Sequence, residues 1–273
     1  MKLCDMHVHS NFSADGLENM ETMCLEAVKK KIDCMAFTEH WEVSPSPTGE
    51  SYYIKREDDR TREYKRVTDK FGGKLQILFG IELGQPHHNP KQAENLILNG
   101  GFDFILGSLH IYRSSDGKYR DVYYVNYNEI KPDIMFIDYF KDLFSMVSYG
   151  GFDVIAHLDY PLRVLEGYID QPTVKDYMDL IDFILKKAVD KGIGIEIGTR
   201  GLSDWQKRVG PENFVLKRYR ELGGEIVTTG SDSHVKGQLG FGLAEACNAA
   251  RKAGFSHIAY YKNRKPVFAE IGE

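Results

Sequence analysis

Apolar residues alternate between two patterns along the chain. Short runs rich in Ile, Val, Leu and Phe occupy 3–9, 34–38, 75–82, 102–110, 153–159, 194–199 and 225–231. Runs of this length and composition read as strands buried on both faces. Between them, apolar residues recur at helical spacing over 17–31, 57–71, 90–99, 132–149, 174–191, 211–222 and 239–253. Gly72, Gly100, Gly150, Gly192, Gly223 and Gly254 stand where a residue just past a helix end would fall. Seven strand–helix repeats imply a parallel sheet and suit a closed or nearly closed barrel better than an open one. The expected fold is therefore α/β, a distorted (β/α)7 barrel, formed by residues 1–273 as one domain. No glycine-rich phosphate loop follows any strand, which removes the main reason to prefer a nucleotide-binding open sheet. Two strands around 262–265 should cap the barrel. The segments 42–56 and 112–131 read as long loops after strand ends, placed to line or cover a pocket.

Composition narrows the function classes. Hydrophobic residues make up 42% of the 273, enough for a core without disulfides. The net charge of -5, with no basic block, argues against a long nucleic-acid surface. Cys4, Cys24, Cys34 and Cys247 form no CxxC pair, so neither a zinc ribbon nor a redox dithiol is expected, and scattered thiols suit a reducing cytoplasm. No run of 18 apolar residues suggests a membrane span. Nothing in the pattern sets an oligomeric state.

The chemistry concentrates at strand ends. Of nine histidines, His7 and His9 end the first predicted strand, His40 follows the second, His110 ends the fourth, His157 lies in the fifth and His234 follows the seventh. Glu82 ends the third strand, Asp232 follows the seventh, and Asp15 lies in the loop after the first. A parallel barrel builds its active site on this C-terminal rim, so these residues should converge. His7 and His9 are two apart and point to one side of the strand, as do Asp232 and His234. A lone strand histidine is usually a satisfied polar residue. Six at one rim would bury many polar groups together for no structural reason. Nine candidate ligands exceed one tetrahedral site and suit two or three divalent ions. Nitrogen and oxygen donors without thiolate point to zinc, manganese or iron. His87, His88 and His257 do not share the pattern; His257 reads as structural, and His87 and His88 as a loop pair that could reach substrate.

These residues resemble the polymerase and histidinol phosphatase superfamily. Asp5-Met6-His7-Val8-His9-Ser10 is similar to its first motif and Thr38-Glu39-His40 to its second. Gly80-Ile81-Glu82 and Gly107-Ser108-Leu109-His110 resemble the third, Ala156-His157-Leu158-Asp159 the fourth, and Gly230-Ser231-Asp232-Ser233-His234 the last. The motifs appear in family order over nearly the whole chain. The runs 80–85, 157–161 and 221–228 further resemble the stand-alone histidinol-phosphatase branch. The resemblance implies a trinuclear site. His7, His9, Glu82 and Asp232 would hold the first ion, and Glu82, His110 and His157 the second, with Glu82 bridging. Asp15, His40 and His234 would hold the third. Many relatives carry histidine at the position of Asp15, so this site would be harder. Glu39 should support the site without binding metal.

The expected reaction is hydrolysis of a phosphate monoester, L-histidinol phosphate in the branch resembled, as a step of histidine biosynthesis. A hydroxide bridging the first two ions, held by His7, His9, Glu82, His110, His157 and Asp232, would attack phosphorus in line. Arg163 and Arg200 follow the fifth and sixth strands, where a guanidinium fork would bind phosphate. Trp41, Glu42 or Tyr160 would face the amine and imidazole. A nucleotide phosphoesterase or exonuclease would use the same metals. A noncatalytic module supporting a polymerase ranks below both, since every ligand position is filled. A metal-dependent amidohydrolase ranks low for lack of a bridging lysine.

Overall fold

The computed structural model describes residues 2–44, 57–126, 129–165, 173–204 and 206–272. In chain order the regular elements are β1 (Cys4–Val8), α1 (Met20–Lys29), β2 (Cys34–Glu42), α2 (Glu57–Phe71), β3 (Gln76–Gly84), α3 (Pro90–Asn99) and β4 (Phe104–Ser108). There follow β5 (Ile111–Arg113), β6 (Tyr119–Asp121), α4 (Pro132–Tyr149), β7 (Val154–Ile155), α5 (Met178–Lys191) and β8 (Gly194–Gly198). The chain continues through α6 (Asn213–Glu221), β9 (Val227–Gly230), α7 (Leu243–Lys252), β10 (His257–Lys262) and β11 (Lys265–Glu270).

Seven strands form one parallel sheet in the order β1-β2-β3-β4-β7-β8-β9. The two edges meet beyond β9, where Asp232 N donates to His7 O and His9 N to Ser233 O, each at 2.9 Å. Asp5 pins the same seam: its carboxylate accepts from Ser231 N at 2.8 Å, Ser231 Oγ at 2.6 Å and Gly240 N at 2.9 Å. The expected seven-stranded barrel is thus present and nearly closed. Its distortion has local causes. β1 carries one extra residue against β2 between Asp5 and Val8, where the Thr38 hydroxyl takes over as partner of Val8 N. β7 is only two residues long.

Helices bury the stripes their spacing announces. α4 packs Met135, Phe136, Tyr139, Phe140, Leu143, Met146 and Val147 inward. Asn19 and Asn89 cap α1 and α3 through Thr22 N and Gln92 N. Gly150 and Gly192 close α4 and α5 at φ +79° and +67°, a region costly for residues with a Cβ. Gly100 instead keeps φ -74°, and the left-handed turn falls to Gly101 at +63°. The stretch 174–191 divides into a 3₁₀ turn, Val174–Tyr177, and α5.

Two expected loops need revision. The stretch 112–131 contains the β5/β6 hairpin, with Ile111 paired to Asp121 and Arg113 to Tyr119. Of 42–56, Glu42 belongs to β2 and residues 45–56 lie outside the described residues. The terminal β10/β11 hairpin does cap the barrel, at the end opposite the histidines. Arg264 Nε donates to Asp153 at 2.7 Å and Arg264 N to Asp103 O at 2.8 Å. No helix among the described residues is long and apolar enough to cross a membrane.

Candidate metal centre

All nine residues expected to hold metal converge above the C-terminal ends of the strands. Glu82, fully buried near the end of β3, is at the middle. Its Oε2 lies 3.4 Å from His7 Nε2, 3.5 Å from His9 Nε2 and 2.7 Å from His40 Nδ1. Its Oε1 lies 2.9 Å from His157 Nε2 and 3.2 Å from His110 Nε2. Asp232 Oδ1 closes the other side of the β1 pair, 3.5 Å from His7 Nε2 and 3.6 Å from His9 Nε2. Asp15 lies beside them, 3.5 Å from His40 Nε2 and 3.1 Å from His234 Nε2; these two nitrogens are 3.4 Å apart. His9 lies between the groups, its ring 4.3 Å from that of His40 and 4.2 Å from that of His234. His157 and Asp232 reach their places with φ of +25° and +52°. Such backbone is strained for residues with a Cβ and persists where the surroundings over-determine it.

Outer contacts set which nitrogen faces inward. Ser13 Oγ donates to Glu39 Oε2 at 2.6 Å, so it accepts from His9 Nδ1 at 2.9 Å, leaving His9 Nε2 as a lone pair. His7 Nδ1 lies 2.8 Å from Glu196 Oε1, whose other oxygen accepts from His157 N at 2.9 Å. His110 Nδ1 lies 2.7 Å from Glu42 Oε1, and Gln85 ties Glu42 Oε2 to His110 N. An imidazole held at Nδ1 by a carboxylate or hydroxyl, with Nε2 aimed inward, is the usual posture of a metal ligand. His7 Nε2 and His9 Nε2 are buried with no hydrogen-bond partner among the described residues. Buried nitrogens facing carboxylates without a hydrogen-bond partner fit the ligand set of a metal ion, because an unpaired buried polar atom is otherwise costly.

The electrostatics agree. Burial would discharge His7, but Glu196, Glu82 and Asp232 hold it well above the usual imidazole value. His9 is pushed well below by burial and by His234 and His40. Burial opposes charge on Glu82, yet His110, His7 and His40 keep its carboxyl well below the usual range. Asp232 is held low against burial by His7 and Arg163.

A cleft of about 540 Å³ opens above this cluster. Both expected phosphate-binding arginines line it. Arg163 Nη1 donates to Asp232 Oδ2 at 2.6 Å, and its guanidinium lies 5.3 Å from the Tyr160 ring. Arg200 Nη1 is buried without a hydrogen-bond partner among the described residues.

Several residues take roles the sequence did not reveal. Glu196 is the carboxylate of β8, a strand read as supplying only Arg200. A single acid inside the buried run 194–198 was the available signal. Gly230 leaves room for it: a Cβ there would stand 2.6 Å from His7 Cβ and collide with Glu196. Glu39 accepts from Ser10 and Ser13, the supporting role expected. Of the residues offered for amine and imidazole, Trp41 packs against the core and Glu42 is committed to His110 and Gln85. Tyr160 lines the cleft and lies against His110 and His157. His87 and His88 bond Asp142 at 3.0 and 2.8 Å, and neither lines the cleft. His257 bonds its neighbour Ser256.

Comparisons with known proteins point to one family. The family model described as the PHP domain matches residues 5–200. A probable histidinol-phosphatase of Clostridium acetobutylicum is 32% identical over 97% of this chain and 96% of its own length. A histidinol-phosphatase of Lactococcus lactis is 26% identical over 97% of this chain and 96% of its own. A solved histidinol phosphate phosphatase from Lactococcus lactis, complexed with zinc, L-histidinol and phosphate, superposes with a TM-score of 0.82. That alignment is 24% identical and covers 97% of this chain and 99% of the other. The chain belongs to the PHP domain family.

Proposed function

We propose that this chain is a metal-dependent phosphatase that hydrolyses L-histidinol phosphate to L-histidinol and phosphate, a step of histidine biosynthesis. The observation that carries the reading is the convergence of His7 Nε2, His9 Nε2 and the Glu82 carboxylate in one cluster with His40, His110 and Asp232, which line a cleft together with Arg163 and Arg200. His7, His9, Glu82 and Asp232 would hold one divalent ion, and Glu82, His110 and His157 a second. Asp15, His40 and His234 would hold a third. Zinc, manganese or iron suits these nitrogen and oxygen donors. Bound ions supply a water activated near neutral pH and offset charge on the phosphoryl oxygens.

The chain's own groups do the rest. Glu196, Ser13 and Glu42 fix the imidazoles, so little reorganisation accompanies binding. Arg200 lines the cleft with Nη1 lacking a hydrogen-bond partner among the described residues and would offer that donor to the phosphoryl group. Arg163, which lines the cleft, donates to Asp232 and would hold that carboxylate in place beside the phosphoryl group. Four free, buried cysteines suit a reducing cytoplasm.

The test is phosphate release from L-histidinol phosphate, beside a nucleoside monophosphate and a 3′,5′-bisphosphate, with manganese or zinc supplied. A preference of ~100-fold in kcat/KM, about 2.7 kcal/mol of differential transition-state binding, is expected for histidinol phosphate. Activity on nucleotides alone would discard the histidinol assignment and keep the metal site.

A further inference from the structure

The acids lining the cleft can be sorted by what already occupies them. Asp15 and Asp232 belong to the histidine cluster, and Glu42 is spent on His110 and Gln85. Asp121 stands in the field of His110 and Glu42, and its Oδ1 accepts from Tyr123 N at 2.9 Å. Asp204 remains. It follows the 3₁₀ turn Arg200–Leu202 after β8. Its Oδ1 accepts from Gln206 N at 2.8 Å, which fixes the carboxyl against its own loop. Its Oδ2 is buried and has no hydrogen-bond partner among the described residues. Arg200 Nη1, of the preceding turn, is in the same state.

A buried oxygen without a donor is costly to ionise, which favours the protonated carboxyl. Burial raises the Asp204 carboxyl above its usual range, although Gln206 N and the charges of Arg163, Arg200 and Arg208 pull it down. Two of these arginines already have anionic partners. Arg163 donates to Asp232 at 2.6 Å, and Arg208 donates to Asp159 at 3.2 Å and lies 3.4 Å from Glu212. A phosphoryl dianion seated at Arg163 and Arg200 offsets their pull and adds its own negative potential. The carboxyl then holds its proton more tightly, moving toward the neutral range where a general acid works best. Attack on phosphorus from the side of the Glu82 cluster is in line, so the ester oxygen lies on the opposite side, toward the cleft. An alkoxide is a poor leaving group and needs a proton as its bond to phosphorus breaks.

We propose that Asp204 is the general acid of this reaction, its Oδ2 delivering a proton to the ester oxygen of an alkyl phosphate. This rests on the phosphatase reading and deepens it. The attacking water forms its bond to phosphorus and releases one proton to solvent. The P–O ester bond breaks, its electron pair stays on the ester oxygen, and that oxygen takes the Asp204 proton. The carboxylate regains a proton from solvent, so each turnover consumes one water and yields one alcohol and one phosphate.

The experiment compares L-histidinol phosphate, an alkyl ester, with 4-nitrophenyl phosphate, whose phenolate leaves without a proton. Both are assayed with the metal-loaded parent, Asp204→Asn and Asp204→Glu. Asparagine keeps the Oδ1 acceptor for Gln206 N and has no proton to transfer. In Asp204→Asn, kcat/KM for histidinol phosphate should fall ~100-fold while that for 4-nitrophenyl phosphate changes less than ~3-fold. Bound metal, read by elemental analysis, should equal that of the parent. Asp204→Glu keeps a transferable proton and should stay within ~10-fold of the parent on both esters. Equal losses on the two esters in Asp204→Asn, or no loss on either, overturn the assignment and leave the phosphatase reading intact. So does an equal loss on histidinol phosphate in both variants, because the side chain would then serve its loop and not the proton. A loss confined to histidinol phosphate in Tyr160→Phe, with Asp204→Asn unaffected, moves the acid to that phenol. A parent active on neither ester overturns the phosphatase reading itself.

Discussion

Two clusters of histidine and carboxylate stand within this fold, and they are built in opposite ways. In the first, Asp142 of α4 accepts from His87 Nε2 at 3.0 Å, His88 Nε2 at 2.8 Å and Arg113 N at 2.8 Å. His88 Nδ1 is taken by Ser44. Both carboxylate oxygens and both Nε2 atoms are spent on each other, and the result ties α4 to β5, to the turn at Pro86–His88 and to the end of β2. In the second, around Glu82, His7, His9 and His110 spend Nδ1 outward on Glu196, Ser13 and Glu42, His40 turns Nδ1 inward to Glu82, and the Nε2 atoms of His7 and His9 have no hydrogen-bond partner among the described residues. The residue types are the same. What separates a clasp from a metal centre is which ring nitrogen the surroundings consume.

The largest effect that could break this contrast is on turnover. Glu82→Gln should lower kcat by about 10³-fold or more, since its two oxygens face five imidazoles and would contribute to both of the first two ions. Asp142→Asn should leave metal content, read by elemental analysis, equal to that of the parent. Equal loss of bound metal in the two variants would show that Asp142 also holds an ion and would dissolve the distinction.

Metal removal sharpens the same point through stability. Ions that bind only the folded chain stabilise it by roughly 3–4 kcal/mol when free metal exceeds its Kd by 100- to 1,000-fold. Chelation should therefore lower Tm in calorimetry, and added zinc or manganese should restore it. Glu82→Gln should lose most of that shift and Asp142→Asn should keep it. A metal-independent Tm in the parent chain would refute the fit of the orphaned nitrogens.

Glu196 comes next. Glu196→Gln keeps the volume but weakens the grip on His7 Nδ1 and His157 N, so activity or metal affinity should fall 10- to 100-fold, the usual cost of an outer contact to a ligand. Titration of activity against free metal separates the two. Unchanged activity together with an unchanged metal dependence would mean that Glu196 serves only the packing of the barrel.

The sequence disclosed the first cluster poorly and the second well, for physical reasons. Strand periodicity and the C-terminal rim of a parallel barrel bring His7, His9, Glu82, His110 and His157 together without any need for side-chain detail. Helices α2, α3 and α4 could be read to the residue because Pro90 and Pro132 mark starts and glycines follow the ends of all three. Contacts between distant loops were another matter. His87 and Asp142 are 55 residues apart, and no local pattern announces their bond. Glu196 was hidden because a lone acid in an apolar strand carries no partner in its own neighbourhood. The β5/β6 hairpin was missed because its strands are three residues each, below the length at which alternation becomes visible.

The smallest effect concerns acid stability of the clasp. Burial pushes the Asp142 carboxyl up, but hydrogen bonds from His87 and His88 outweigh this and hold it at about 2, against 3.8 in a free chain. A carboxyl held low in the folded state stabilises the fold above its unfolded value, and the contribution is lost as pH falls from about 4 to about 2. Its size is on the order of 2 kcal/mol. His87 is also lowered, by burial, so the stability it contributes is present above pH 6.5 and declines as pH falls below it. Because Asp15, Glu82 and Asp232 are depressed as well, the acid limb of the parent chain alone cannot isolate the clasp. The difference in unfolding free energy between chelated parent and chelated Asp142→Asn can. It should be roughly 2 kcal/mol at pH 7 and shrink towards pH 2, where the parent carboxyl is half protonated. A difference that stays constant over that range would mean that Asp142 stabilises α4 by packing, and that the histidines lend it no charge-dependent hold.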